Sequence, residues 1–260
     1  MCPICNGSET PFGTLLVMSQ FDVTYFRCDN CGFVHTEQPY WLEQAYSEVI
    51  ASQDVGVMKR NEMNALFTSN LLSLAFRNTS HALDFGGGHG VFVRMMRDRG
   101  FNFFWKDLYA SNHFARGFEF DPNLSYDFVT AFEVLEHFVE PVRELESVME
   151  IADNVFVSTL TVPAPTPQLT DWWYYLPSTG QHVSFYTKEA LRHIAARHQR
   201  HLYSNGSYHL FTKNPISELR FKLAMNAKSA RFIKRIDRRT SLVPTDFEQL
   251  SRQSLSVPGL

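Results

Sequence analysis

Seven residues constrain this chain more than any others: Asp84-Phe85-Gly86-Gly87-Gly88-His89-Gly90. They lie between a short apolar run, His81-Ala82-Leu83-Asp84, and a segment over 90–99 in which Phe92, Met95 and Met96 recur at helical spacing. A glycine bend leading from a strand into a helix lets the backbone approach a ligand without a Cβ in the way. The helix start then turns its N–H groups toward an anion. The glycines fall as Gly86-x-Gly88-x-Gly90, headed by the acid Asp84. A dinucleotide fingerprint, G-x-G-x-x-G, would need glycine where Val91 stands, so the spacing is a different one.

Around this bend the two periodicities alternate. Phe101–Lys106 and Tyr126–Phe132 read as strands, 138–150 as a helix, Val155-Phe156-Val157-Ser158 as a fully buried strand, and Thr187–His198 as a helix that Thr187 caps. The rhythm predicts a parallel sheet covered on both faces. Leu202-Tyr203-Ser204 and Tyr208–Phe211 flank Asn205-Gly206, a hairpin signal, so the last strand is expected to run antiparallel. Upstream, 58–77 puts Met63, Leu66, Phe67, Asn70, Leu71, Leu74 and Ala75 on one helical stripe. Pro39–Gly56 reads as a helix and loop led by Trp41, Leu42, Ala45 and Tyr46.

Two more features sharpen the bend. Asp107 ends the second strand, 21 residues after Gly86, where a carboxylate can accept the ribose hydroxyls of a nucleoside. The run Asp127-Phe128-Val129-Thr130-Ala131-Phe132-Glu133-Val134-Leu135-Glu136-His137 leads off a later strand. Together, Asp84–Gly90, Asp107 and 127–137 resemble motif I, the ribose-binding acid and the "EVLEH" segment of class I methyltransferases, over about residues 58–212. The resemblance implies a Rossmann-like, seven-stranded, mostly parallel α/β sheet with an antiparallel last strand, and S-adenosylmethionine as cofactor. Asp84, Gly86, Gly87, Gly88 and Gly90 would cradle its methionine end, Asp107 would hold the ribose, and Phe132 and Glu133 would close over the methionine part. The family's adenine-contacting segment falls near Phe118–Asp121, where no familiar pattern stands.

All four cysteines lie in the first 31 residues as two Cys-x-x-Cys pairs, Cys2/Cys5 and Cys28/Cys31. Such pairs aim four sulfurs at one tetrahedral ion, and a closed all-thiolate zinc site is structural rather than catalytic. The competing reading is two disulfides or spare thiols. Leu15-Leu16-Val17 and Val23-Thr24-Tyr25-Phe26 read as short strands of the same ribbon. A segment of this size buries too little to fold alone, so metal would supply the difference. The first residues lack the charged start and apolar stretch of a signal peptide, and no run reaches the roughly 18 apolar residues of a membrane span. The expected address is cytoplasmic, where thiols stay reduced.

The acceptor is expected beyond the strand ends, where Val162–Pro167, Trp172-Trp173-Tyr174-Tyr175 and Gly180–Tyr186 form an insertion. Its tryptophans either stack on a sugar or pack onto the core. The pattern W-W-Y-Y…G-Q-H-V-S-F-Y resembles methyltransferases of polysaccharide and sugar-nucleotide pathways, which implies a sugar, sugar-nucleotide or glycan hydroxyl as acceptor. A natural-product or lipid-linked precursor is the alternative in the same class. A zinc-ribbon RNA-binding or RNA-modifying protein is the alternative in another class. Only one basic residue, Arg27, lies between Cys2 and Cys31, and the net charge is −3, so no nucleic-acid partner is expected. His137 and His182 are the candidate general bases. The expected organisation is a zinc-ribbon-like module over 1–40, a helical connector over 41–78, a cofactor-binding domain over 79–212, and a basic helix with a flexible tail over 213–260. From Lys213 to Arg239 nine basic residues stand against two acidic ones, a pattern suited to peripheral membrane contact.

Overall fold

The computed structural model describes residues 1–46 and 55–256. The later half of the Pro39–Gly56 reading therefore lies outside the described residues. Contacts divide the chain into two compact units, one of Met1–Asp54 with Ala131–Pro215, the other of Val55–Thr130 with Ile216–Leu260. Among the described residues, six strands build the central sheet, in the order β5 (Phe103–Lys106), β4 (Ala82–Phe85), β6 (Phe128–Phe132), β7 (Asn154–Ser158), β10 (Tyr208–Thr212) and β9 (His201–Ser204). The expected α/β class, mostly parallel with an antiparallel last strand, is the class observed.

The unit built from the middle and end of the chain carries helix α2 (Val57–Ala75), strand β4 (Ala82–Phe85), helix α3 (Val91–Asp98), strand β5 (Phe103–Lys106) and the start of β6 (Phe128–Phe132). β4 lies between β5 and β6, parallel to both, with Ala82 level with Phe103 on one side and Phe128 on the other. Ala82, Leu83, Phe103, Phe128 and Val129 are all buried, which is why these runs show no polar alternation. The expected seventh strand is reduced to one bridge. Trp105 donates its N–H to the Phe118 carbonyl, and its own carbonyl accepts from Phe120. That single parallel step at Glu119 is all that stands where Phe118–Asp121 resisted reading, because Gly117 and Pro122 bracket too few residues for a longer ladder.

Two expectations for this unit are corrected. The helix over 58–77 is present, but Met63, Leu66 and Leu74 are only half-buried, while Asn64, Thr68, Asn70 and Ser73 are buried with Ala65, Phe67, Leu71 and Leu72. Phe67, Asn70 and Leu71 are buried as expected, with Asn70 donating to the Ala224 carbonyl; the turn of the stripe brings in Ser73, which donates to Asp237. Among the described residues, 213–256 form neither one basic helix nor an unstructured tail. It folds as α6 (Glu218–Ala224), α7 (Ala230–Ile236) and α8 (Val243–Ser256). Asp246 of α8 is buried and takes a two-pronged bond from Arg97 (2.6 and 2.8 Å) and another from Arg94 (2.8 Å). Arg97 also lies 3.5 Å over the Phe118 ring.

The other unit opens with β1 (Glu9–Val17) and β2 (Phe21–Cys28) in antiparallel pairing, followed by β3 (Val34–Thr36) and α1 (Leu42–Ala45). These strands contain the expected short runs and extend them. The unit continues with α4 (Pro141–Ile151), β7 (Asn154–Ser158), β8 (Ser184–Phe185), α5 (Lys188–Arg197), β9 (His201–Ser204) and β10 (Tyr208–Thr212). β10 runs antiparallel to both β7 and β9. The hairpin turns at Asn205, whose side chain accepts from the N–H groups of Ser207 and Tyr208. Thr187 caps α5 as expected, its hydroxyl accepting from the Ala190 N–H (3.0 Å). A finding with no counterpart in the sequence reading is β8. It pairs antiparallel with β3 and becomes the fourth strand of the cysteine-bearing sheet. Tyr174, Tyr175, Phe185 and Leu169 share one buried cluster with Val23, Tyr25 and Trp41. Among the described residues no helix is long and apolar enough to cross a membrane.

Candidate functional site

The glycine bend is pinned to the end of β5. Gly86 and Gly87 donate their N–H groups to the Lys106 carbonyl (2.8 and 3.1 Å). Gly88 is held at both backbone groups: its N–H donates to Asp107 Oδ2 (2.9 Å) and its carbonyl accepts from the Trp105 indole (2.8 Å). Side-chain-free residues are required for different reasons along the bend. At Gly87 an added Cβ would lie 2.8 Å from both Asp84 Oδ2 and Trp105 Cδ1. At Gly88 a Cβ would meet nothing within 4 Å, but φ is +52°, a left-handed conformation that disfavours every other residue. Gly90, at φ +84°, ends the bend and starts α3.

Asp84 is 3% exposed and accepts the Thr130 hydroxyl (2.7 Å). Burial pushes its carboxyl up to about 7, with the Asp107 charge adding to the rise and the Thr130 bond opposing it. Asp107 is half-buried and already accepts three backbone N–H groups, from Gly88 on one oxygen and from Tyr109 and Ala110 on the other. It therefore helps to build the bend.

Within the other unit, β6 ends in a corner at Glu133, a non-glycine residue at φ +54°. Such a conformation persists only when neighbours hold it. Here Ser158 does so, accepting from the Glu133 N–H (3.0 Å) and donating to its carboxylate (2.6 Å). Phe132 meets Phe156 and Tyr208 edge-on.

The segment after that corner, Leu135–Phe138, is fastened to 181–186 by four hydrogen bonds. Val183 N–H donates to the Glu136 carbonyl (2.8 Å), Ser184 Oγ to the Phe138 carbonyl (2.6 Å), Tyr186 Oη to the Leu135 carbonyl (2.9 Å) and His137 Nδ1 to the Gln181 carbonyl (3.0 Å). The two sequence segments carrying His137 and His182 are thus one clamp, with ring centroids 5.1 Å apart. His182 Nδ1 donates to the Tyr174 carbonyl (2.8 Å). A carbonyl can only accept, so each neutral ring carries its proton on Nδ1 and its lone pair on Nε2.

Glu136 is fully buried, and its Oε1 accepts from Tyr174 (2.8 Å). Burial first, then the charges of Glu136 and Glu133, raise the Tyr174 hydroxyl well above its ordinary value, so it stays a donor. Trp172 packs against the buried cluster, while Trp173 is 69% exposed.

The four cysteines converge. Cys2 and Cys31 sulfurs are 3.7 Å apart, those of Cys5 and Cys28 3.5 Å, and all four lie within 4.8 Å of one another. No disulfide joins them. Four sulfurs at about 2.3 Å from one tetrahedral ion stand about 3.8 Å apart, so the donor set has the right size for zinc. The Cys31 N–H also points at Cys28 Sγ (3.4 Å), and Asn30 donates to Cys5 Sγ (3.5 Å).

Sequence reasoning passed over Trp105, Thr130, Ser158 and Tyr174; Glu136, read there as the group that could fix the His137 tautomer, accepts from Tyr174 while the Gln181 carbonyl holds His137. Trp105 alone carried a signal, as the one indole in a strand that ends beside the glycine bend.

Comparison with known proteins gives a family and several structural likenesses. A family model described as a methyltransferase domain matches residues 59–200. Curated proteins give no match. Among solved structures, an O-methyltransferase family protein from Burkholderia thailandensis is similar at 15% identity and a TM-score of 0.48, over 67% of this chain and 62% of that one. Human N-acetylserotonin methyltransferase, in complex with SAM, is similar at 14% identity and 0.40, over 59% and 52%. The plantazolicin methyltransferase BpumL, in complex with a monoazolic desmethyl analogue and SAH, is similar at 13% and 0.48, over 75% and 87%. The chain thus spans less than two thirds of the first two of these proteins. Scores of this size assign no residue and no acceptor to this chain.

Proposed function

We propose that this chain, which belongs to the methyltransferase domain family, transfers a methyl group from S-adenosylmethionine to a hydroxyl of a small-molecule acceptor: a sugar, a sugar nucleotide or a glycan end. Family membership makes it a methyltransferase; the cofactor, the acceptor and the residue roles below are our reading. S-adenosylmethionine, when bound, supplies the methyl group on a sulfonium that leaves readily. The protein is left with orientation and with the hydroxyl proton.

Orientation falls to the bend. Asp84, Gly86, Gly87, Gly88 and Gly90 cradle the amino-acid end, with Gly88 lining open ground and Trp105 and Asp107 holding it still. A carboxylate has about four acceptor positions. Three of those on Asp107 are taken by backbone, which leaves one for a ribose hydroxyl. Phe132 and the held corner at Glu133 close over the methionine part. Zinc on Cys2, Cys5, Cys28 and Cys31 stabilises the N-terminal sheet and takes no part in the reaction.

The observation that carries the hydroxyl reading is the His137–His182 pair. Both rings have Nδ1 tied to a carbonyl, so Nε2 is the atom that can take a proton. The exposed Trp173 and the resemblance of 172–186 to polysaccharide-pathway enzymes support a sugar. Methyl transfer assayed over a panel of sugar nucleotides, phenols and peptides tests this. Product should form on a sugar nucleotide, and His137→Ala or His182→Ala should cut kcat about a hundredfold or more with little change in KM. Transfer confined to non-sugar acceptors would remove the sugar reading.

A further inference from the structure

We propose that Glu136, His137 and His182 form a second metal site that binds a divalent transition-metal cation through two imidazole nitrogens and one carboxylate oxygen. One donor atom from each residue lies within 4.8 Å of the others. An ion with ligands about 2.1 Å away in tetrahedral array needs its donors about 3.4 Å apart. The set is no more than about 1.4 Å wider than that array, so an ion would draw the donors in.

Three further features point to a cation. Metal-binding imidazoles nearly always donate their second nitrogen to a carbonyl or carboxylate, which fixes the ring and its tautomer. Both rings already have that outer bond, His137 to Gln181 and His182 to Tyr174. The carboxylate is equally prepared. Glu136 is 0% exposed, its Oε1 is held by Tyr174, and its Oε2 has no hydrogen-bond partner among the described residues. A buried oxygen left so carries an uncompensated desolvation cost, larger when charged; a neighbouring cation removes that cost. The scaffold, finally, is stiff, because the clamp between 135–138 and 181–186 fixes two of the three ligands to each other.

Two neutral imidazoles and one carboxylate suit zinc, iron or nickel better than calcium or magnesium, which prefer all-oxygen sets. Both histidines are half-exposed, so coordination positions remain for water or an acceptor oxygen. A hydroxyl bound to such a cation is more acidic than a free one, and the two rings then serve as ligands. The inference stands on this cluster alone and does not rest on the proposed acceptor.

The test is cobalt titration of the full chain after chelator treatment, followed by absorption. Wild type should bind two Co2+ per chain, one with strong sulfur-to-cobalt charge transfer from the cysteines and one with only weak visible bands. His137→Gln and His182→Gln should weaken the second Co2+ about a hundredfold and keep the first; Cys28→Ser should do the reverse. Should a glutamine variant misfold, proton NMR of the cobalt-loaded wild type gives the same answer, with two exchangeable, paramagnetically shifted imidazole N–H signals expected. A wild-type chain whose only Co2+ shows sulfur-to-cobalt charge transfer, a weak-band Co2+ that survives both histidine changes, or no shifted imidazole signals would each overturn the proposal. Loss of methyl transfer in the histidine variants with a single Co2+ in wild type would overturn the metal site and leave the general-base reading standing.

Discussion

Replacing Asp84 by asparagine should alter the pH dependence of folding more than the fold itself. Asp84 is buried, and that burial raises its carboxyl from 3.8 to about 7. The native state therefore keeps a proton over a range in which the unfolded chain has lost it. Stability from this group is complete below the unfolded value and is lost as pH rises through the folded one. A shift of about 3 units, at about 1.4 kcal/mol each, is worth roughly 4 kcal/mol at most. Asparagine still accepts the Thr130 hydroxyl and does not titrate. His209 tilts the other way: burial lowers its ring from 6.5 to about 4, so its contribution is present above 6.5 and lost as pH falls. The two slopes oppose each other where their windows overlap, and the wild-type curve alone hides both. Urea unfolding of wild type and Asp84→Asn between about pH 5 and pH 8 isolates the carboxyl. The variant should gain on wild type by about 1.4 kcal/mol per pH unit until pH about 7, then level off. A constant difference across that range would refute burial of an ionising Asp84.

Three other outcomes follow from the same geometry. Asp246→Ala strips the buried Arg97 of both its carboxylate bonds, and thermal or urea unfolding should show a loss of about 3 kcal/mol or more; a loss under about 1 would mean that α8 is dispensable. Cys28→Ser should abolish thiolate-bound metal by elemental analysis and lower the unfolding temperature, since metal binding and folding of the sheet are coupled; full metal retention would end the zinc reading. Asp107→Ala should weaken S-adenosylhomocysteine binding strongly in calorimetry, because the change frees Gly88 as well as losing a ribose acceptor; an unchanged affinity would take Asp107 out of the site.

The bend, the closing hairpin, the Thr187 cap and the cysteine pairs were legible because each is a local device: the residues that define it are close in sequence and need no partner from afar. What escaped was tertiary. The clamp between Leu135–Phe138 and Gln181–Tyr186 is made of side-chain bonds to carbonyls, which no periodicity announces. β8 is a two-residue strand that exists because β3 is there to pair with it. Helix α8 looks like a polar tail until Asp246 finds Arg97, although Ser241, Pro244 and Asp246 together are a helix-start pattern. The stripe on α2 differs from the expected one in part because Ser73 is buried for its hydrogen bond to Asp237, not for apolarity.

Gly88 offers the most direct measurement of the central claim. Alanine there meets no atom within 4 Å, so only its left-handed φ is penalised, by about 1 kcal/mol. Calorimetry with S-adenosylhomocysteine should give one site per chain for wild type and a drop of at least about tenfold in affinity, 1.4 kcal/mol, for Gly88→Ala, with unfolding lowered by no more than that backbone cost of about 1 kcal/mol. Wild type that fails to bind, or a folded Gly88→Ala protein that binds equally well, would contradict the account.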